Sequence, residues 1–363
     1  MINNNNNTIP LLFVFIVVFT IFMCNLKNID ASKTKKNIAT WYDAGDLEAS
    51  LVELRAHSDQ FRSLSLSRLG NSSSTNEEKA KWMDIVQNEL HINTYTLVGG
   101  STDAFFTKAE RETTIEKYIK QARAGGYSGI DLDFEHLPIN SSVTDNYSIF
   151  LRSLSNELHK AGLLLSACVG NYPTPSNGIS VFYDPAVLNE TCDVVRVMNY
   201  DMYWVGGRGV KTLASRPDCV GVGPTSTQPW AKQGMEWWLA RVDANKLVMG
   251  LPAYANDYCS LPHYGGGNGT QVYKAGPPTV PDEALPGSVE SVWQFFDQIY
   301  VHRYIDAKTK QPRIRYGTDA RSTQAHLLTA NNLGIDQVGF WEWNTADTAM
   351  MEAVYKWTTT TYL

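Results

Sequence analysis

The sequence has little cysteine, and none of it is spaced to hold a metal. Five Cys are spread over 363 residues. There is no Cys-x-x-Cys pair and no Cys/His cluster, so no zinc or other metal site is expected, and no cofactor. A basic stripe is missing too. Lys and Arg number 31 against 37 Asp and Glu, for a formal net charge of −6, which argues against nucleic acid as a partner. No glycine-rich phosphate loop follows the first strand-like run. Trp41-Tyr42-Asp43-Ala44-Gly45 stands where a doubly wound dinucleotide-binding sheet would need one. No charged side chain precedes Lys27.

The chain does carry an apolar run near its start. After a low-complexity Asn stretch, Ile9 to Met23 is almost continuously apolar. That length fits the core of a signal peptide better than a stable membrane span. Residues 1–31 are therefore read as a signal peptide cut near Ala31 and Ser32, leaving no stable span in the mature protein. An uncleaved anchor is the alternative, because the segment lacks an early Lys or Arg and a clean small-x-small cleavage site. Asn71, Asn140, Asn146, Asn189 and Asn268 each head an Asn-x-Ser/Thr sequon. Together with the export signal they make glycosylation and a secreted or lysosomal location the expectation. Removing Cys24 with the signal leaves an even four. A disulfide is expected between Cys219 and Cys259, on consecutive connections at one barrel face. Cys168 and Cys192, in or beside apolar strands, are read as buried thiols.

Beyond the signal, apolar periodicity alternates between strand and helix. Strand-like runs span Asn37–Tyr42, Phe61–Leu66, Ile92–Val98, Gly129–Glu135, Leu163–Val169, Val194–Tyr200, Lys246–Pro252 and Gln337–Trp343. Amphipathic helices are read at Leu47–His57, Glu77–Leu90, Thr114–Ala124, Tyr147–Lys160, Gln233–Val242, Ser322–Asn332 and Thr348–Trp357. Gly125, Gly162 and Gly334 stand where helix C-caps should fall. These repeats predict one α/β domain over residues 32–363, a (β/α)8 TIM barrel with its site at the C-terminal ends of the strands. A doubly wound open sheet is the runner-up. Residues 257–319 are too long for an ordinary connection and read as a small insertion after the seventh strand. Within it a helix is expected at Ser291–Ile299, and a hairpin from Val301–Ile305 and Pro312–Tyr316.

Gly129-Ile130-Asp131-Leu132-Asp133-Phe134-Glu135 carries the most chemistry. Side chains alternate along a strand, so Asp131, Asp133 and Glu135 share one face, spaced by about 6–7 Å. Ile130, Leu132 and Phe134 share the other and would pack against helices. Three acids in a confined interior repel one another and lose solvation, which raises at least one pKa. The result is a proton-holding acid near neutral pH, as glycoside cleavage requires. A calcium site and an exposed edge strand are the plainer readings. The alternating large apolar residues make a poor calcium loop, and the position as fourth strand of eight argues against an edge.

The same segment resembles the D-x-D-x-E signature of glycoside hydrolase family 18, the chitinases and their relatives. Met198-Asn199-Tyr200-Asp201 resembles that family's M-x-Y-D strand end. Lys246 to Pro252 with Tyr254 resembles its seventh strand, and Val338-Gly339-Phe340-Trp341 its last, with a platform tryptophan. Within the family, Lys246 to Leu261 is most similar to lysosomal di-N-acetylchitobiases. Two positions depart from the pattern: Ser128 replaces a further Asp, and Leu97 a Ser that commonly holds the first acid of the trio.

The resemblance implies a glycosidase acting on β-1,4-linked N-acetylglucosamine in chitin or its oligosaccharides. Catalysis would be substrate-assisted and retaining. Glu135 would be the general acid, Asp133 would hold the acetamido N–H, and Asp131 would tune Asp133. Tyr200 would orient the acetamide oxygen, Trp341 would floor the subsite, Met198 would line it and Asp201 would contact hydroxyls. Ten Trp and 18 Tyr are enough for stacking on sugar faces, and core packing is the plainer alternative for Tyr200 and Trp341. Trp343 is the rival platform. A catalytically weak chitinase-like binding protein and an endo-N-acetylglucosaminidase are the other functional readings. A monomer is expected.

Overall fold

Eight parallel strands close a barrel around the site. In this computed structural model the described residues are 35–171, 182–203, 223–259, 269–273 and 283–360, without the side chains of residues 259 and 269–273. The 1–31 signal segment, the Asn268 sequon and the Cys219–Cys259 pairing lie outside them.

The first seven barrel strands are β1 Asn37–Ala44, β2 Phe61–Leu69, β3 Asn93–Val98, β4 Gly129–Leu132, β5 Leu164–Gly170, β6 Val194–Met198 and β7 Leu247–Pro252. Five more form a separate sheet: β8 Tyr254–Cys259, β9 Gly269–Tyr273, β10 Glu290–Gln294, β11 Ile299–Ile305 and β12 Pro312–Gly317. The eighth barrel strand, β13 Gln337–Trp341, then inserts between β1 and β7. Strand alternation sorts the side chains. Ile130, Leu132, Leu165, Val195, Val197 and Phe340 face outward into one large core. Ala39, Tyr95 and Val248 point into the barrel and pack on one another.

The helices are α1 Leu47–Ala56, α2 Asn76–Asp84, α3 Lys108–Ala124, α4 Ser141–Lys160, α5 Pro185–Thr191, α6 Gln228–Leu239, α7 Ala320–Leu333 and α8 Thr348–Thr359. Local capping explains why several start earlier than periodicity suggests. Thr107 and Glu110 form a capping box that begins α3 six residues before Thr114. Asn140 caps α4 by accepting from the Val143 N–H at 3.0 Å. Thr227 caps α6. The sequence reading did not include α5, which is only 7 residues long and is started by Asp184 and Pro185. Gly334 closes α7 in the left-handed conformation, at φ 70°.

One expected helix is corrected. Ser291–Ile299 is not helical. Glu290–Gln294 is a strand paired antiparallel with β11, Val292 against Val301 and Trp293 against Tyr300. The adjoining Val292 and Trp293 set no period of their own, and pairing with β11 decides for the strand. β11 and β12 pair antiparallel, with Tyr304 opposite Arg313. Tyr258, Ile299, Val301 and Tyr316 form the apolar side of this second sheet.

Candidate active site

The trio segment runs past the end of β4. The regular strand stops at Leu132, and β6 and β13 likewise end at Met198 and Trp341, two residues short of their expected limits. β4 loses its pairing where β3 ends at Val98, yet the Asp133 N–H still donates to the Val98 carbonyl at 2.8 Å. Alternation therefore continues outward, with Phe134 buried among Phe105, Tyr147 and Phe150. Gly99 and Gly100 allow this course. A Cβ at Gly99 would lie 2.8 Å from the Asp133 carbonyl oxygen, and one at Gly100 the same distance from the Phe134 ring.

The three carboxylates descend in exposure. Glu135 is exposed, Asp133 half-buried and Asp131 fully buried. Burial, then the charges of Glu135 and Asp131, push the Asp133 carboxyl up to about 7. Beneath it, Asp131 Oδ2 lies 3.4 Å from Arg196 Nε and accepts from the Cys168 thiol at 3.4 Å. Burial raises the Cys168 thiol well above its usual value, so it stays a neutral donor. Cys168 and Cys192 are both free and buried.

An aromatic wall stands beside the acids. Trp41 meets Tyr200 and Trp341 edge-on, at centroid separations of 5.7 and 5.8 Å. Tyr200 lies roughly parallel to Trp341, 6.4 Å away and 25° apart. Leu97, Met198 and Tyr254 complete the cluster. Gly250 makes room for Trp41, because a Cβ there would come within 2.8 Å of its ring. Trp343, the rival platform, is excluded from the cleft. It is fully buried behind the barrel wall and its indole N–H donates to Glu53 at 2.7 Å.

Asp201 follows Tyr200 in a left-handed turn, φ 57°. The Tyr254 hydroxyl donates to its carboxylate. Burial raises the Asp201 pKa against that hydrogen bond, and the Glu135 charge adds to the rise. Asp201 and Glu135 therefore share an electrostatic environment from different strands. At the C-terminal ends of β1, β2 and β13, Glu342 accepts from Ser67, and Arg68 holds Asp43. Burial raises Glu342 as well.

Sequence reasoning missed three contributors. Trp41 and Arg196 read as ordinary strand residues, and only the barrel's closure turns both inward. Glu342 adjoins Trp341 of the aromatic wall, and that adjacency was its signal in the sequence. Ser128 does not reach the trio; its hydroxyl donates to Gln87 and accepts from the Thr94 N–H. Of the sequons, Asn71 and Asn140 are exposed, while Asn146 and Asn189 lie half-buried in helices.

Comparison with known proteins gives the family and the fold. The sequence model described as glycosyl hydrolases family 18 covers residues 15–358. The chain belongs to family 18. A class V chitinase of Arabidopsis thaliana is 30% identical over 152 residues, 40% of this chain and 38% of its own. An uncharacterized glycosylase, YvbX, of Bacillus subtilis is 24% identical over 181 residues, 46% of this chain and 48% of its own. This family 18 chain thus spans about half the length of those relatives, or less. Solved structures share the barrel. A chitinase from Chromobacterium violaceum superposes with a TM-score of 0.70 at 19% identity, over 90% of this chain and 100% of that one. A class V chitinase of Nicotiana tobaccum, solved in complex with NAG4, gives 0.64 at 15% identity, over 91% and 100%.

Proposed function

We propose that this family 18 protein is a chitinase-type glycosidase that hydrolyses β-1,4-linked N-acetylglucosamine oligosaccharides with retention of configuration. The observation that carries this reading is the graded series Asp131, Asp133, Glu135, rising from buried to exposed beside the Trp41, Tyr200 and Trp341 wall. In this reading a sugar ring stacks on Trp341 and presents its glycosidic oxygen to Glu135. Glu135 gives its proton to that oxygen as the bond to the anomeric carbon breaks. The acetamide carbonyl oxygen of the same sugar attacks that carbon, forming an oxazolinium ion. Asp133 accepts the acetamido N–H through its unprotonated oxygen and holds the acetamide in place for attack. Water then adds to the anomeric carbon, its proton returns to Glu135, and the ring opens back to the acetamide.

A carboxylate nucleophile is disfavoured by the environment of Asp201. Its oxygen is engaged by Tyr254 and burial favours its neutral form, whereas a retaining two-carboxylate enzyme needs an ionised attacking group. The named relatives are class V chitinases and bacterial glycosylases. The finer resemblance to di-N-acetylchitobiases rests on Lys246 to Leu261, and we extend to it the expected secretion or delivery to lysosomes. Proton NMR of the first product from chitooligosaccharides tests the reading. The β-anomer should form first, and fully deacetylated oligomers should not be cleaved. An initial α-anomer, or equal cleavage of deacetylated oligomers, overturns it.

A further inference from the structure

The residue beneath the trio is a cation, and among the described residues a single carboxylate lies against it. Arg196 projects from β6 into the barrel and is fully buried. Its Nε donates to Ser166 Oγ on β5 at 3.1 Å, and its Nη2 to Ser63 Oγ on β2 at 3.0 Å. The rings of Trp41 and Tyr95 lie 5.8 and 5.5 Å from the guanidinium carbon. All of these partners are neutral. A guanidinium keeps its proton under any folding condition, so its buried charge requires a nearby anion. Among the described residues, the carboxylate within 4 Å of it is Asp131, whose Oδ2 sits 3.4 Å from Nε.

We propose that Arg196 is a positioning residue that holds Asp131 as the ionised member of the acid pair, so that the mobile proton resides on Asp133, next to Glu135. This inference rests on the proposed function for its kinetic meaning but not for its electrostatic test. The groups that face Asp131 are Arg196 from β6, Cys168 from β5, Tyr95 from β3 and Asp133 from its own segment. Asp133 is faced by Asp131, Glu135, Cys168 and Tyr200. Tyr95, Tyr200 and Cys168 are all raised by burial and stay neutral. Arg196 is therefore the one positive charge among these groups, and it lies on the Asp131 side. Because a coupled pair shares its protons, a cation placed against one member drives the proton to the other.

The decisive measurement is carboxyl carbon NMR of the aspartate-labelled wild type at about pH 6, below the Asp133 midpoint. Asp131 should resonate as a carboxylate and Asp133 as the acid, each assigned through bonds to its own backbone amide in the wild type. The reverse assignment overturns the proposal, whether or not any variant folds. Arg196→Met gives an independent check with an opposite-sign control. Removing a nearby positive charge would by itself raise the Asp133 midpoint. If Arg196 keeps Asp131 ionised, its loss lets Asp131 take the proton, and the Asp133 midpoint falls instead. A rise, or no change, in folded Arg196→Met also overturns the proposal.

Kinetics supply the functional side. Arg196→Met should lower kcat by roughly tenfold or more, with KM nearly unchanged, and move the acid limb of the pH–rate profile, at which Asp131 must lose its proton, upward by about one pH unit. Arg196→Lys, which keeps the charge, should restore the limb. If the wild type cleaves no chitooligosaccharide, the proposed function fails while the NMR result still decides the role of Arg196.

Discussion

Asp133 stands between a carboxylate buried below it and one exposed above it, and its proton affinity follows from that position. Glu135 is the outermost of the three and the group placed to meet a substrate. Glu135→Gln should lower kcat on chitotetraose by about 100-fold or more, the usual contribution of a general acid, with an unchanged melting temperature. Activity within tenfold of wild type would remove Glu135 from that role. Asp133 also has a consequence for stability. An aspartate whose folded pKa is raised from 3.8 to about 7 resists ionisation in the folded state. Below its unfolded pKa it is protonated in both states and imposes no penalty. As pH rises toward the folded pKa the penalty grows, and above it the full cost remains, at most about 4 kcal/mol. Asp133→Asn should therefore raise the melting temperature by several degrees at pH about 8, change it little at pH about 4, and abolish turnover. Equal shifts at both pH values would show that the burial of Asp133 carries no such cost.

At the scale of elements, the site depends on how closely segments approach. Gly99 lets the extended run after β4 pass the end of β3, where a methyl group would press on the Asp133 carbonyl. Gly99→Ala should displace Asp133 and lower kcat by about tenfold or more, since misplacing catalytic groups by roughly an ångström is costly. Wild-type kinetics in that variant would show that the segment yields freely. The elements themselves were largely legible in the sequence. Strand alternation in Gly129–Glu135 put Ile130, Leu132 and Phe134 on the helix side, and they are buried there. The misjudged pieces have physical causes. Ser291–Ile299 mixes Val, Trp and Phe with polar residues at a spacing that fits either period, and pairing with β11 decides it. Helix starts at Lys108 and Ser141 are set by caps on Thr107 and Asn140, which precede the apolar stripe that periodicity detects. Arg196 could not be read as part of the site, because its relation to Asp131 exists only once β4, β5 and β6 curve into a barrel.

Over the whole molecule, the barrel is closed by strands from opposite ends of the described chain. β1 and β13 pair at Asn37 with Gln337 and at Ile38 with Val338. The buried Thr40 hydroxyl reinforces the seam, donating to the Phe340 carbonyl at 3.0 Å and accepting from its N–H at 2.9 Å. Thr40→Val keeps the shape and strands both groups of Phe340. It should lower the unfolding free energy in urea by about 1–3 kcal/mol, and a loss under 0.5 kcal/mol would show that water or a shifted backbone replaces the hydroxyl. The same seam joins Trp41 to Trp341, whose rings touch across 300 residues of sequence. A chain emerging from the ribosome carries all three acids of the trio long before it carries the second tryptophan. Contacts so remote in sequence form late and slowly. The aromatic wall against which a sugar would rest is thus among the last features to be completed, and a nascent or truncated chain holds its acids beside a wall that lacks Trp341.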